Sequence, residues 1–251
     1  MRFFNHDGFE LGFIDEGEGD PVLLIHGFAS THFVNWVSPG WVKTLRDAGY
    51  RVVALDNRGH GRSTKSREPA DYVPAKMASD AAALLDHLEI GRAHVMGYSM
   101  GARITAFLAR ARPERTGSLI FGGLGAGMVE GVGAWDAIAD ALVADDPETI
   151  EDERPRMFRA FADQTKSDRQ ALAACISTSR ELLTPAQIAE IDRPALVAVG
   201  TKDDIAGDPE VLAAMLPRGE AFAIPERDHM LSVGDRRFKE RVLAFLQENP
   251  L

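Results

Sequence analysis

Six short runs of mostly apolar residues, separated by stretches of helical periodicity, set the strongest limit on how this chain can fold. They are Val22–Ile25, Val52–Leu55, Ala93–Met96, Leu119–Phe121, Ala195–Val199 and Phe222–Ile224. Continuous rather than alternating apolar character is what a strand covered on both faces requires. Between the runs, Met77, Ala81, Leu84, Leu85 and Leu88 share one helical stripe, as do Ile104, Phe107, Leu108 and Ala111, and Phe238, Val242, Phe245 and Leu246. Strand alternating with helix predicts an α/β fold: a mostly parallel sheet with helices on both faces.

Two segments depart from that rhythm. Phe4 to Gly8 and Phe9 to Asp15 read as a strand pair turning at His6-Asp7-Gly8, which predicts an antiparallel N-terminal edge. From Gly122 to Arg193 no strand is evident, and helical patterns run over Trp135–Val143, Ile150–Gln164, Asp168–Arg180 and Pro185–Ile191. This predicts a small all-helical cap at 124–193, inserted in a core made of 1–123 and 194–251.

Composition narrows the classes of partner. With 28 Lys and Arg against 38 Asp and Glu, the net charge of −10 disfavours nucleic acid and anionic membrane surfaces. Cys175 is the only cysteine, so neither an intramolecular disulfide nor a multi-cysteine zinc site is available. The N-terminal twenty residues carry His, Asp and Glu where a signal peptide needs apolar residues, and no run approaches a membrane span. The expectation is a cytoplasmic protein, monomer or homodimer, without membrane insertion.

The chemistry centres on Gly97-Tyr98-Ser99-Met100-Gly101. It follows one strand run and opens an amphipathic helix, Ala102 to Ala111, the setting of a G-x-S-x-G nucleophile elbow. So sharp a turn brings the positions two before and two after the serine together, and both are glycine. A serine hydroxyl is a poor nucleophile until a base, itself oriented by a third group, accepts its proton. Of the seven histidines, His229 follows the last strand run in a predicted loop, at the same sheet edge as Ser99. His87 lies on a helix, His94 inside a strand, and His6 and His32 have no chemistry nearby. The orienting acid is expected after another strand end, where Thr201-Lys202-Asp203-Asp204 follows Gly200. Chain order Ser99, acid, His229 suits this architecture, and the Gly-x-x-Asp spacing favours Asp203 over Asp204. The other strand end in question carries Gly122-Gly123, with no side-chain oxygen to offer.

Backbone amides at Phe28 and Met100 are the expected oxyanion donors, one from the loop after Val22–Ile25 and one from the elbow. His26 also admits a metal reading with His32 or His60. No HExxH or acid cluster accompanies it, so it is read as a loop-organising histidine, with no metal and no cofactor required.

Together, His26-Gly27-Phe28, the segment Asp56-Asn57-Arg58-Gly59-His60-Gly61-Arg62-Ser63, the GYSMG elbow, Gly200 to Asp203 and His229 resemble the α/β-hydrolase fold superfamily over nearly the whole chain. Length and elbow are similar to small serine esterases, 3-oxoadipate enol-lactonases and cofactor-free haloperoxidase-like proteins. The DNRGHGRS segment resembles the family's D-x-R-G-x-G-x-S loop, read as structural. Serine at 99 separates the chain from haloalkane dehalogenases and epoxide hydrolases, whose nucleophile is aspartate. Phe28 stands where perhydrolytic members often carry tryptophan.

The expected substrate is a small to medium uncharged ester, cleaved by a carboxylesterase through an acyl-enzyme. The alternatives are a lactonase, a C–C bond hydrolase, or a ligand sensor that keeps the triad without turnover. Pocket candidates are Tyr98 beside the nucleophile and Met128, Trp135, Phe158 and Phe161 from the cap. Residues 124–193 hold 14 acids and seven bases, so −7 of the total −10 falls on the cap. A field of that sign disfavours anionic substrates, dicarboxylate lactones included.

Overall fold

The chain opens with a hairpin in which β1 (Arg2–His6) and β2 (Phe9–Glu16) meet through Asp7 and Gly8. Their φ angles of 49° and 79° place both turn residues in the left-handed region, the type I′ geometry that matches strand twist. The computed structural model describes residues 1–251 except Val132 and Ala134. The other strands are β3 (Pro21–Ile25), β4 (Arg51–Leu55), β5 (Ala93–Tyr98), β6 (Thr116–Gly122), β7 (Ala195–Gly200) and β8 (Gly219–Ile224). One eight-stranded sheet results, in the order β1-β2-β4-β3-β5-β6-β7-β8. β1 and β2 are the antiparallel edge, with Phe13 opposite Leu55, and every pairing from β4 to β8 is parallel.

Alternation along each strand divides the apolar runs between two cores, which explains why they are continuous in sequence. Leu23, Ile25, Val53, Leu55 and Val95 pack on one face with Leu84 and Leu85 of α2 (Pro74–His87) and with Ile104 and Leu108 of α3 (Met100–Ala111). Val22, Leu24, Val52, Ala54 and Met96 pack on the other with Trp41 and Leu45 of α1 (Trp41–Asp47) and with Val242 and Phe245 near the C-terminus.

Among the described residues, the α-helices between β6 and β7 are α4 (Gly127–Glu130), α5 (Asp136–Val143), α6 (Glu153–Gln164), α7 (Arg169–Thr178) and α8 (Pro185–Ala189). α5 packs against α6 and α7. Asp168 caps α7 by accepting from the Gln170 and Ala171 amides, and Thr184 and Gln187 form a capping box on α8. After β7 come α9 (Pro209–Met215), then α10 (His229–Ser232) and α11 (Arg236–Glu248). No helix among the described residues is long and apolar enough to cross a membrane.

Two strands extend beyond their apolar runs. β6 starts at Thr116 because its polar residues are buried and bonded, with Ser118 Oγ against His94 Nδ1 at 2.7 Å. β8 starts at Gly219 as a sheet edge, partly exposed and therefore free of the both-faces-apolar requirement.

The DNRGHGRS segment is a buried polar knot after β4. Asp56 Oδ1 accepts from the His32 amide and from His32 Nδ1, each at 2.8 Å, and Oδ2 accepts from the Arg62 amide at 3.0 Å. Burial alone would raise the Asp56 pKa; His32, His26 and that amide outweigh it and bring it down to about 2. Arg58 donates from Nε and Nη2 to both carboxylate oxygens of Asp80 at 2.7 Å, with 0% and 1% side-chain exposure respectively. Arg58→Leu strands the Asp80 carboxylate in the core and is expected to cost about 3–5 kcal/mol in urea unfolding; a loss below about 1 kcal/mol would contradict this role.

Candidate active site

β5 runs straight into α3, and the reversal between them is possible only because Gly97 and Gly101 lie backbone to backbone. A Cβ on Gly97 would come within 2.1 Å of the Gly101 carbonyl oxygen, and one on Gly101 within 1.9 Å of the Ile25 carbonyl oxygen. Ser99 takes the turn at φ 55°, ψ −113°, a strained conformation that holds its side chain clear of both elements.

Ser99 Oγ lies 3.1 Å from His229 Nε2, and His229 Nδ1 lies 2.8 Å from Asp203 Oδ2. With Nδ1 protonated and donating to the carboxylate, Nε2 is left as acceptor for the serine hydroxyl. Asp203 is fixed through its other oxygen, Oδ1, which accepts from the Ile205 and Ala206 amides at 2.9 Å each. Asp204 turns away: its side chain is 77% exposed and pairs with Arg154 of α6 at 2.9 Å. His229 was expected in a loop, but it opens α10. Asp228 caps that helix by accepting from the Met230 and Leu231 amides at 3.0 and 2.8 Å. Tyr98 Oη donates to the His229 carbonyl at 2.5 Å, tying the elbow to the histidine. Burial, and then the Asp203 charge, push the Tyr98 pKa well above its ordinary value, so the phenol stays a donor.

The loop after β3 carries the other expected donor. His26 donates from Nδ1 to the Gly27 carbonyl at 2.8 Å and accepts at Nε2 from the Asn57 amide at 3.0 Å, so both ring nitrogens are committed. Asn35 Oδ1 accepts from the Gly27 amide at 2.8 Å. Among the described residues, the amides of Phe28 and Met100 donate to no protein acceptor, and both residues line a recess that contains Ser99.

A cavity of about 270 Å³ opens from Ser99 and His229. Tyr98, Trp135, Phe158 and Phe161 line it, with Phe28, Val34, Met230 and Val233. The Phe158 ring lies 5.9 Å from Phe28 and 5.9 Å from Trp135, which forms an aromatic wall. Met128 is a correction: it lines neither space at Ser99 and is fully buried in the core, because α4 is a single turn packed inward. A second recess of about 40 Å³ also meets Ser99, and two arginines enter its wall, so the surroundings are not wholly apolar. Arg103 donates to the carbonyls of Gly127, Met128 and Glu181 at 2.9–3.0 Å, and Arg180 pairs with Asp136. Burial lowers the Arg103 pKa to about 10. Its spacing was the available signal, since four residues past Ser99 is one helical turn on.

Two histidines beside this site are held neutral. Burial brings His26 down to about 4, and burial with the neighbouring His26 brings His60 down to about 3. A depressed pKa means the stabilisation is present above the unfolded value of about 6.5 and lost as pH falls toward the folded values. At about pH 5 each histidine should have cost about 2 kcal/mol, a drop in Tm on the order of 10 °C relative to about pH 7.5. Melting curves across that range check this, and a flat profile would contradict it.

Comparison with known proteins agrees with this architecture. The family model for the alpha/beta hydrolase fold matches residues 20–155, and the chain belongs to that family. It is 31% identical to the dihydrolipoyllysine-residue acetyltransferase component of the acetoin cleaving system of Pseudomonas putida, over 96% of this chain but only 66% of that longer protein. It is 30% identical to a Mycobacterium tuberculosis protein named non-heme bromoperoxidase BpoC, over 88% of this chain and 90% of that one. Among solved structures, a hydrolase from Pseudomonas aeruginosa PA01 superposes with a TM-score of 0.80 at 27% identity, covering 98% of this chain and 97% of the other.

Proposed function

We infer that this α/β-hydrolase is a serine carboxylesterase acting on small to medium uncharged esters. The observation that carries the reading is the unbroken chain from Asp203 through His229 to Ser99, at 2.8 and 3.1 Å, ending in a largely apolar cavity. In the forward step Ser99 Oγ attacks the ester carbonyl as its proton passes to His229 Nε2. The oxygen gains negative charge within reach of the Phe28 and Met100 amides, and a donor of that kind contributes about 3–4 kcal/mol in the transition state. His229 returns the proton to the departing alcohol, and water repeats the sequence on the acyl-serine. Asp203 accepts from His229 Nδ1 and so holds the imidazole in the required tautomer.

Cavity size supports a modest substrate, since about 270 Å³ falls just below the range of roughly 300–1,000 Å³ typical of drug-sized sites. The test is a panel of p-nitrophenyl esters from acetate to octanoate, run beside aliphatic lactones with Ser99→Ala as control. Ser99-dependent multiple turnover, greatest on the shorter esters, is expected. Lactone turnover without ester turnover would favour the lactonase alternative. Single-turnover hydrolysis with a ligand-dependent melting shift would favour a sensor.

A further inference from the structure

Within the cavity wall, one polar group has no task in the mechanism. Ser30 lines the same space as Ser99 and His229, is 2% exposed, and its Oγ meets no hydrogen-bond partner among the described residues. Two other polar groups of residues lining this cavity are already engaged, Tyr98 Oη with the His229 carbonyl and Asn35 Oδ1 with the Gly27 amide. Among the described residues, buried side-chain atoms of Trp36, Asn57, His60 and His94 also lack partners, and none of these residues lines the spaces around Ser99.

The backbone holds Ser30 firmly. Its amide donates to the Gly27 carbonyl at 3.3 Å, closing a turn. Ala29, just before it, sits at φ 55°, a left-handed conformation unusual for alanine, and its carbonyl accepts from Thr165 Oγ1 at the end of α6 at 3.3 Å. A buried hydroxyl left unpaired is unfavourable, and alanine would fill the position without that cost. The hydroxyl itself is buried behind a wall that includes Phe28, Val34 and Val233, so a turn about the Ser30 Cα–Cβ bond must bring it to the cavity; presented there, it favours a ligand that brings its own oxygen over one that offers a methylene.

We propose that Ser30 is a specificity-determining residue whose hydroxyl hydrogen-bonds a second oxygen of the substrate, so that alkoxy- or hydroxy-substituted esters are preferred over their alkyl counterparts. The inference rests on the serine hydrolase reading and specifies its substrate class. Two isosteric pairs test it: p-nitrophenyl methoxyacetate against p-nitrophenyl butyrate for the acyl side, and 2-methoxyethyl acetate against butyl acetate for the alcohol side. Intrinsic reactivity cancels when the kcat/KM ratio within each pair is compared between the wild type and Ser30→Ala. In one of the two pairs, the ratio should fall about tenfold in Ser30→Ala, the scale of one hydrogen bond, and Ser30→Thr should restore most of it. Equal losses within both pairs, or no change in either ratio, would overturn the proposal.

Recognition is also read without turnover. In a Ser99→Ala background, the oxygen-bearing ester of the responsive pair should raise the melting temperature more than its isostere, and adding Ser30→Ala should abolish the difference. If the plain esters turn over and neither ratio moves, this inference alone fails. If no ester turns over, the carboxylesterase reading fails, and a Ser30-dependent melting difference still decides the present proposal.

Discussion

Ser99→Ala is expected to lower kcat/KM toward activated esters by at least about 10,000-fold while leaving the melting temperature within a few degrees of the wild type. The large first effect follows from geometry: the Ser99 hydroxyl is what the Asp203–His229 pair reaches, at 3.1 Å from Nε2. On the proposed mechanism the cavity and the Phe28 and Met100 amides would still bind an ester without it, but no acyl-serine could form. Stability should hold because the hydroxyl's side-chain bond is to His229 alone, and the turn is secured by Gly97 and Gly101. Steady-state kinetics with a thermal melt on the same preparation checks both halves. Activity kept within tenfold would remove Ser99 from the mechanism, whereas activity lost together with folding would leave the variant uninformative and call for Ser99→Gly.

The second large effect separates two adjacent carboxylates. Asp203→Asn keeps an oxygen for the Ile205 and Ala206 amides but turns an NH2 group toward His229 Nδ1. The imidazole then accepts at Nδ1 and carries its proton on Nε2, where it cannot take one from Ser99, so kcat should fall by about 10,000-fold with little change in KM. Asp204→Asn loses only an exposed pair with Arg154, worth about 1 kcal/mol or less, and should alter kcat by less than about threefold. Comparable losses in the two variants would contradict this division of roles.

The elements that build the centre were legible because each carries a local signal. Continuous apolar runs mark strands buried on both faces, and the glycines around Ser99 mark a turn that nothing larger can make. Chain order then brought acid and base to one edge of the sheet. The cavity wall was legible only in part. Trp135, Phe158 and Phe161 sit on helices whose apolar stripe must be buried, yet nothing local distinguishes a helix face that meets a cavity from one that meets the core. Met128 shows the consequence, since its short helix packs inward. Val34, Met230 and Val233 carry no such signal because two segments distant in sequence, one after β3 and one at α10, meet at the cavity only in three dimensions. Arg103 is a charge on α3, and only the folded chain brings the carbonyls of Gly127, Met128 and Glu181 to it.

Ser99 Oγ is the atom that the proposed mechanism acylates, and covalent trapping tests this most directly. After exposure to a fluorophosphonate ester, intact mass and peptide mapping should reveal one adduct per chain, carried by Ser99 and accumulating in proportion to the loss of esterase activity. Pre-incubation with a good ester substrate should slow its formation, and His229→Ala should nearly abolish it. An adduct on another residue, or full loss of activity with Ser99 unmodified, would contradict the assignment.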